Sequence, residues 1–180
     1  MLSVGFEDTS MDAVAASART SKGTLYARYP TKQALRRAVV MEELNQLSAL
    51  TAAQFTNKRP ADLKERLQQH ARHISSTMLS PEVQTLDRLI GDANRRNGDL
   101  AELLNVKEQA AIKDIVDDIV DGARSFPVPP RNPSRVAEML MSALFGWHVI
   151  QDRVGPIPLE DALHYADHVV DVLFAGRADW

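Results

Sequence analysis

Six cations, Arg19, Lys22, Arg28, Lys32, Arg36 and Arg37, fall between Ala13 and Met41, and no Asp or Glu interrupts them. The 180-residue chain has a net charge of -3, so everything outside this segment sums to -9. A short basic module on an acidic body is the asymmetry expected when one end meets phosphate and the rest must stay off it. A chance cluster on a solvated helix face would give the same count. Other chemistry is poorly provided for. The chain has no cysteine, which excludes disulfides, thiol catalysis and cysteine-ligated zinc. His70 with His73, and His164 with His168, have one-turn spacings, but no Glu completes a His-Glu-x-x-His set and no metal is expected. No Gly-x-Ser-x-Gly elbow, phosphate loop or dinucleotide fingerprint occurs, so neither catalytic residues nor a cofactor are expected. No apolar run reaches the roughly 20 residues of a membrane span, and no signal peptide is visible. The expectation is a cytoplasmic protein with no membrane partner.

The elements that must position these cations read as helices throughout, because apolar residues recur at helical spacing and never alternate with period two. The fold class is therefore all-α. Ser10 can cap a first short helix carrying Met11, Val14, Ala15 and Ala18, and Ser21 a second that runs through Leu25 and Tyr26 to about Arg28. Pro30 ends the second helix, and Thr31 caps a long third one from Lys32 to about Phe55. Further helices are predicted from Pro60 to about Leu79, from Pro81 to about Asn97, and from Asp99 to about Ala123 with a break near Asn105. The four prolines between Phe126 and Pro133 mark a loop. Asn132 and Pro133 then open a helix to about Arg153, and a last helix runs from Leu159 to about Ala175.

Two short helices joined by a tight turn at Arg19-Thr20 make a helix-turn-helix. In that motif the second helix lies in the major groove with its N-terminal residues at the base edges. Lys22, Gly23, Thr24, Tyr26 and Arg28 occupy those positions, with donors for bases or phosphates and, at Gly23, room for close approach. Lys32 opposes the dipole of the next helix, which makes sense if a phosphate docks there. An ordinary αα-hairpin with solvated polar residues has the same pattern.

The run Gly5-Phe6-Glu7-Asp8-Thr9-Ser10-Met11-Asp12-Ala13-Val14-Ala15, followed by Ser21 to Leu35 with Thr24-Leu25-Tyr26, Tyr29 and Lys32 in register, closely resembles the DNA-binding signature of TetR-family transcriptional regulators. The resemblance covers about the first 40 residues. It implies a helix-turn-helix domain over 1–40 and a ligand-binding and dimerisation domain over 41–180. It further implies that Ser10 and Lys32 hold phosphates, that Lys22, Gly23, Thr24, Tyr26 and Arg28 line the groove, and that Leu25 and Tyr29 are core. Two departures stand out. The family usually has Gly where this chain has Arg19, and a non-glycine residue at φ > 0 costs on the order of 1 kcal/mol; the turn is reshaped, or Arg19 adds a phosphate contact. The family also has a full helix before the Gly-Phe pair, whereas only Met1 to Val4 precede it here. The expectation is that the first helix is largely absent, so that the sequence starts downstream of the natural start or its DNA-binding domain is weakened.

Ser80 to Ala93 resembles the variable domain of the AefR-like subgroup. In the family the last two helices of each subunit form a four-helix bundle with those of a partner. The near-continuous apolar run from Met139 to Ile150 points the same way, since such a helix must bury more than one side. Leu140, Leu144, Leu163, Val170, Leu173 and Phe174 are the expected homodimer interface; a single intramolecular core is the alternative. A small, mainly apolar ligand is expected among Met78, Leu86, Leu89, Met139, Phe145, Trp147 and His148, with His148 as its polar anchor. The same residues also suit a plain core. The function implied is that of a repressor that binds a palindromic operator in double-stranded DNA and leaves it when the ligand binds.

Overall fold

The computed structural model describes residues 9–56, 60–86, 90, 98 and 101–180, and all regular elements among them are helical. The helices are α1 (Met11–Ser17), α2 (Lys22–Arg28), α3 (Lys32–Thr56), α4 (Leu63–Met78), α5 (Ala101–Gly122), α6 (Pro133–Asp152) and α7 (Leu159–Ala175), with a further helical stretch at 81–86. Residues 1–8, on which the expectation of a largely absent first helix before the Gly-Phe pair falls, lie outside the described residues, as does Leu89.

Starts are set by the predicted caps. Ser10 Oγ accepts the Ala13 N–H at 3.1 Å, Ser21 Oγ that of Thr24 at 3.0 Å, Thr31 Oγ1 that of Ala34 at 3.0 Å, and Asn132 Oδ1 that of Arg135 at 3.0 Å. Each satisfies one of the orphan donors of a first turn. The fourth helix begins later than Pro60: Asp62 is its cap, accepting from the Glu65 N–H at 3.2 Å. The break expected near Asn105 does not occur, and α5 runs unbroken from Ala101 to Gly122. An interior Asn costs less than about 1 kcal/mol, and the packing of Ile115 and Ile119, both fully buried on α5, outweighs that.

By Cα proximity the chain divides into two compact units, residues 1–50 with 81–105, and residues 51–80 with 106–180. Among the described residues the first unit shows two small cores. Met11, Ala15, Leu25 and Leu35 are buried together with Val14, Tyr29 and Val39 packed on them, and Val40, Leu44, Leu86 and Ile90 form the second. The second unit has one larger core in which Leu67, Ile115, Ile119, Leu140, Leu144 and Val170 are fully buried. Gly122 lets α5 close onto α4, since a Cβ there would sit 2.8 Å from Leu63 Cβ. Polar pairs border this core. Arg66 Nη1 donates to Asp121 at 2.9 Å, and His70 Nε2 lies 2.8 Å from Asp118 Oδ2. On the outer side Arg72 makes a two-bond fork with Asp167 at 2.6 and 2.7 Å, and Lys64 pairs with Asp171 at 2.9 Å. Trp180 closes the bottom of the core, its indole donating to the Leu173 carbonyl at 2.9 Å.

Candidate nucleic-acid interface

The turn between α1 and α2 carries the geometry that defines the module. Arg19 stands at φ 51°, the positive-φ non-glycine among the described residues. That left-handed residue lets the Thr20 N–H reach the Ala15 carbonyl at 3.0 Å and the Arg19 N–H reach that of Ala16 at 3.1 Å. This pairing closes a helix end in the Schellman arrangement, normally built on glycine. The turn is thus not reshaped but formed with Arg19 itself, and the guanidinium-bearing side chain stays exposed.

Helix α2 has seven residues, of which only Leu25 is buried. Lys22, Gly23, Thr24, Tyr26, Ala27 and Arg28 all face outward, and Tyr26 is 45% exposed. A helix held by one buried side chain contributes little to its own core; its surface is available for something outside. A Cβ built at Gly23 would meet only Ser21 Oγ, at 3.8 Å, so nothing internal requires glycine there. Ser10 and Arg28 are exposed too, and the Arg28 guanidinium lies 5.6 Å over the Tyr29 ring. Lys32 is half-buried in the first turn of α3. Thr24 does double duty, its hydroxyl 2.8 Å from that of Ser21. The structure therefore gathers all eight sequence-predicted DNA residues, Ser10, Arg19, Lys22, Gly23, Thr24, Tyr26, Arg28 and Lys32, into residues 10–32 of one unit. It also adds Asp12, whose carboxylate takes the Lys22 ammonium at 2.6 Å. That hydrogen bond, then the carboxylate charge, holds the lysine above its ordinary pKa. No sequence pattern announces a contact between residues ten apart across a turn.

In the body the predicted residues scatter. Leu140, Leu144 and Val170 are 1%, 0% and 0% exposed within the single chain, and Leu163, Leu173 and Phe174 are half-buried. The outward apolar residues of α6 are instead Met139, Phe145, Val149 and Ile150. Among the predicted ligand residues, Leu86 belongs to the core of the first unit, Met78 is half-buried, and Met139 and Phe145 face outward. Trp147 and His148 do meet, edge to face at 5.2 Å, and Trp147 stacks on Tyr165 at 4.5 Å. His148 is 4% exposed, burial holds its imidazole below the ordinary pKa, and its Nε2 has no hydrogen-bond partner. Ser75, fully buried on α4, has an equally unpartnered Oγ. Its place one and two turns beyond Ala71 and Leu67 on the buried stripe was the signal that could have found it. A pocket of about 120 Å³ opens beside Trp147 and Asp161 at the α6–α7 turn, well below the several hundred Å³ of ordinary ligand sites. Among the described residues no group of three or more His, Asp or Glu is placed to hold a metal, and no helix is long and apolar enough to cross a membrane.

An outward-facing second helix, held against a capped first helix by a tight turn, defines a helix-turn-helix protein with a helical body. Residues 1–39 match the family described as bacterial regulatory proteins, tetR family. Among solved structures, a protein of Mesorhizobium loti MAFF303099 assigned to the TetR-family transcriptional regulators is 21% identical. That match covers 97% of this chain and 89% of the other, with a TM-score of 0.74. A transcriptional regulator from Cytophaga hutchinsonii ATCC 33406 is 18% identical, over 97% and 91% of the two chains, at a TM-score of 0.73. The flavonoid-responsive regulator FrrA is 24% identical, over 97% and 89%, at 0.69. No curated protein matches the chain by sequence. Residues 1–39 thus match the DNA-binding domain model of that family, and the whole chain shares the fold of these solved structures.

Proposed function

We propose that the chain is a cytoplasmic, ligand-responsive repressor that binds a palindromic operator as a homodimer and is released by a small, mainly apolar ligand. The observation that carries this is α2, a helix with one buried residue and six outward ones, in a segment of six cations and a single acid from Thr9 to Met41. In this reading residues 1–40 bind DNA and residues 41–180 bind the ligand and the partner. Lys22, Tyr26 and Arg28 face the groove, while Ser10, Arg19 and Lys32 meet phosphates. The dimer reading is supported by the outward apolar strip of α6, Met139, Phe145, Val149 and Ile150, which a single chain leaves in water. The ligand reading is supported by His148 Nε2 and Ser75 Oγ, buried polar atoms that cost free energy until something bonds them. FrrA is named for its response to flavonoids, so flavonoids are a sensible first set of compounds for a binding screen.

The test is DNA binding by fluorescence anisotropy on the region upstream of the protein's own gene. Lys32→Ala should weaken binding to every sequence and flatten the salt slope by about one phosphate per half-site. Changes at Lys22 or Arg28 should alter sequence preference by ~1–3 kcal/mol per contact. Ligand that releases the operator must itself bind less tightly in the operator's presence, by the same factor.

A further inference from the structure

The last helix turns two histidines away from the core. Ala162, Ala166, Val169 and Val170 are the buried residues of α7, and at 3.6 residues per turn His164 and His168 fall on its opposite side. Both are exposed, and neither makes a hydrogen bond or ion pair among the described residues. Side chains four apart on a helix are neighbours, with about 5–6 Å between Cβ atoms. Two imidazoles at that spacing can hold one metal ion, as the histidines of a His-Glu-x-x-His helix do. An acid stands three residues outside each of them, Asp161 before His164 and Asp171 after His168. Carboxylates so placed can accept the second ring N–H of a metal-bound imidazole and orient it.

Charge points the same way. Helix α7 carries Glu160, Asp161, Asp167 and Asp171 and no Lys or Arg. Arg72 and Lys64 of α4 pair with Asp167 and Asp171, which leaves Glu160 and Asp161 exposed without a cation. A second copy of this face would be repelled unless a cation lay between the two. One chain brings two ligands, and zinc takes four. The pattern Asp161-x-x-His164-x-x-x-His168-x-x-Asp171 reads the same in both directions. Two such helices crossing antiparallel about a two-fold axis would set His164 against the partner's His168, and the reverse. The histidines also stand at the right height. Tyr165 stacks on Trp147 at 4.5 Å and its hydroxyl lies 3.5 Å from the Ala143 carbonyl. His164 and His168 are therefore level with the outward strip of α6 between Met139 and Val149.

We propose that His164 and His168 are half of a zinc site, completed by the same pair on a second copy of the chain. The site rests on the homodimer reading above and adds to it a metal ion that ties two acidic helices together. Four imidazoles in a tetrahedral arrangement suit Zn2+, whereas Cu2+ and Ni2+ favour square-planar or tetragonal sites.

The experiment uses the full chain without an added histidine tag, stripped of metal, and ZnCl2 alone as the probe. Calorimetric titration should give one Zn2+ per two chains. His164→Ala and His168→Ala should each lower zinc affinity by at least about a hundredfold, and Asp161→Asn by about tenfold, the effect of losing an outer-shell partner. Their circular dichroism should match the wild type, because the altered side chains are exposed. In sedimentation velocity, Zn2+ at a hundred times its Kd should tighten the wild-type dimer by at least about tenfold and leave the double histidine variant unchanged. One Zn2+ per chain overturns the proposal, since the pair then binds without a second copy. Zinc uptake that survives in the double variant overturns it too, because the ion then sits elsewhere. A dimer that takes up no zinc defeats the metal site alone, whereas a chain that stays monomeric with and without zinc defeats the dimer reading as well.

Discussion

Arg19 offers a test in which strain and charge can be separated. At φ 51° its Cβ crowds the following carbonyl, a conformation that costs a non-glycine residue roughly 1–2 kcal/mol. The bonds it enables, Thr20 N–H to Ala15 and Arg19 N–H to Ala16, involve only backbone atoms, so any residue that accepts this φ keeps them. Glycine removes the crowding but returns ~0.4–1 kcal/mol to the unfolded chain as entropy. Arg19→Gly should therefore exceed Arg19→Ala in stability by about 0.5–1 kcal/mol, since alanine retains the Cβ while both lose the charge. For a chain of this size that difference is roughly 1–4 °C in Tm. Protection of the Thr20 amide against hydrogen exchange reports the same quantity locally. On DNA the two variants should flatten the salt slope alike, by about one phosphate per half-site, if the guanidinium meets the backbone. Identical melting and identical Thr20 protection in the two variants would refute the strain argument.

Other substitutions test the body. Phe145→Asp, on the outward face of α6, should give a folded monomer in sedimentation velocity, whereas Leu144→Asp, at 0% exposure, should lose helical signal altogether. Asp118→Ala takes the carboxylate from His70 and half of the anionic partner set of Arg66, and should cost about 3 kcal/mol in urea unfolding. Gly122→Ala forces a Cβ to within 2.8 Å of Leu63 Cβ and should cost ~1–3 kcal/mol, read the same way. His73 and His148 are held below the ordinary value of 6.5 by burial, His73 also by the nearby His70. The unfolded chain thus takes up these protons first, so stability is full above 6.5 and falls as pH drops through the lowered values. His148→Leu should flatten that fall, and an unchanged urea midpoint profile between pH 8 and pH 5 would count against it.

The features legible in the sequence are local ones. Ser10, Ser21, Thr31 and Asn132 cap helices because a short polar side chain three residues before a free N–H has one good use for it. At Arg19 the family's glycine marked the strained place, but whether the turn is reshaped there was decided only by the structure, in which Arg19 takes the positive φ itself. What failed to show are properties that depend on where an element lands. Helix α6 is apolar nearly all round, and periodicity says which residues share a face without saying which face turns inward. Leu140 and Leu144 accordingly point into the chain's own core while Phe145 and Val149 point out. Asn105 signals a break only in isolation; inside α5 its small cost is overruled by neighbours. Asp12 and Ser75 became visible only when their surroundings did, one by the partner it has and the other by the partner it lacks.

Helix α4 carries the cations of the second unit's bordering pairs, and α5 and α7 carry the acids, but the two sides are unequally wet. Arg66 and Asp118 are 12% and 14% exposed, while Lys64 and Asp171 are 42% and 51%. Mobile ions at 0.15 M screen beyond about 8 Å in water, so they weaken the α4–α7 pairs and largely spare the α4–α5 seam. The salt range that counts counterions released from DNA therefore also weakens the α4–α7 pairs and largely spares the α4–α5 ones. Where those pairs are the same in free and DNA-bound protein they cancel from a binding slope, and melting the DNA-free protein over that salt range reads them alone.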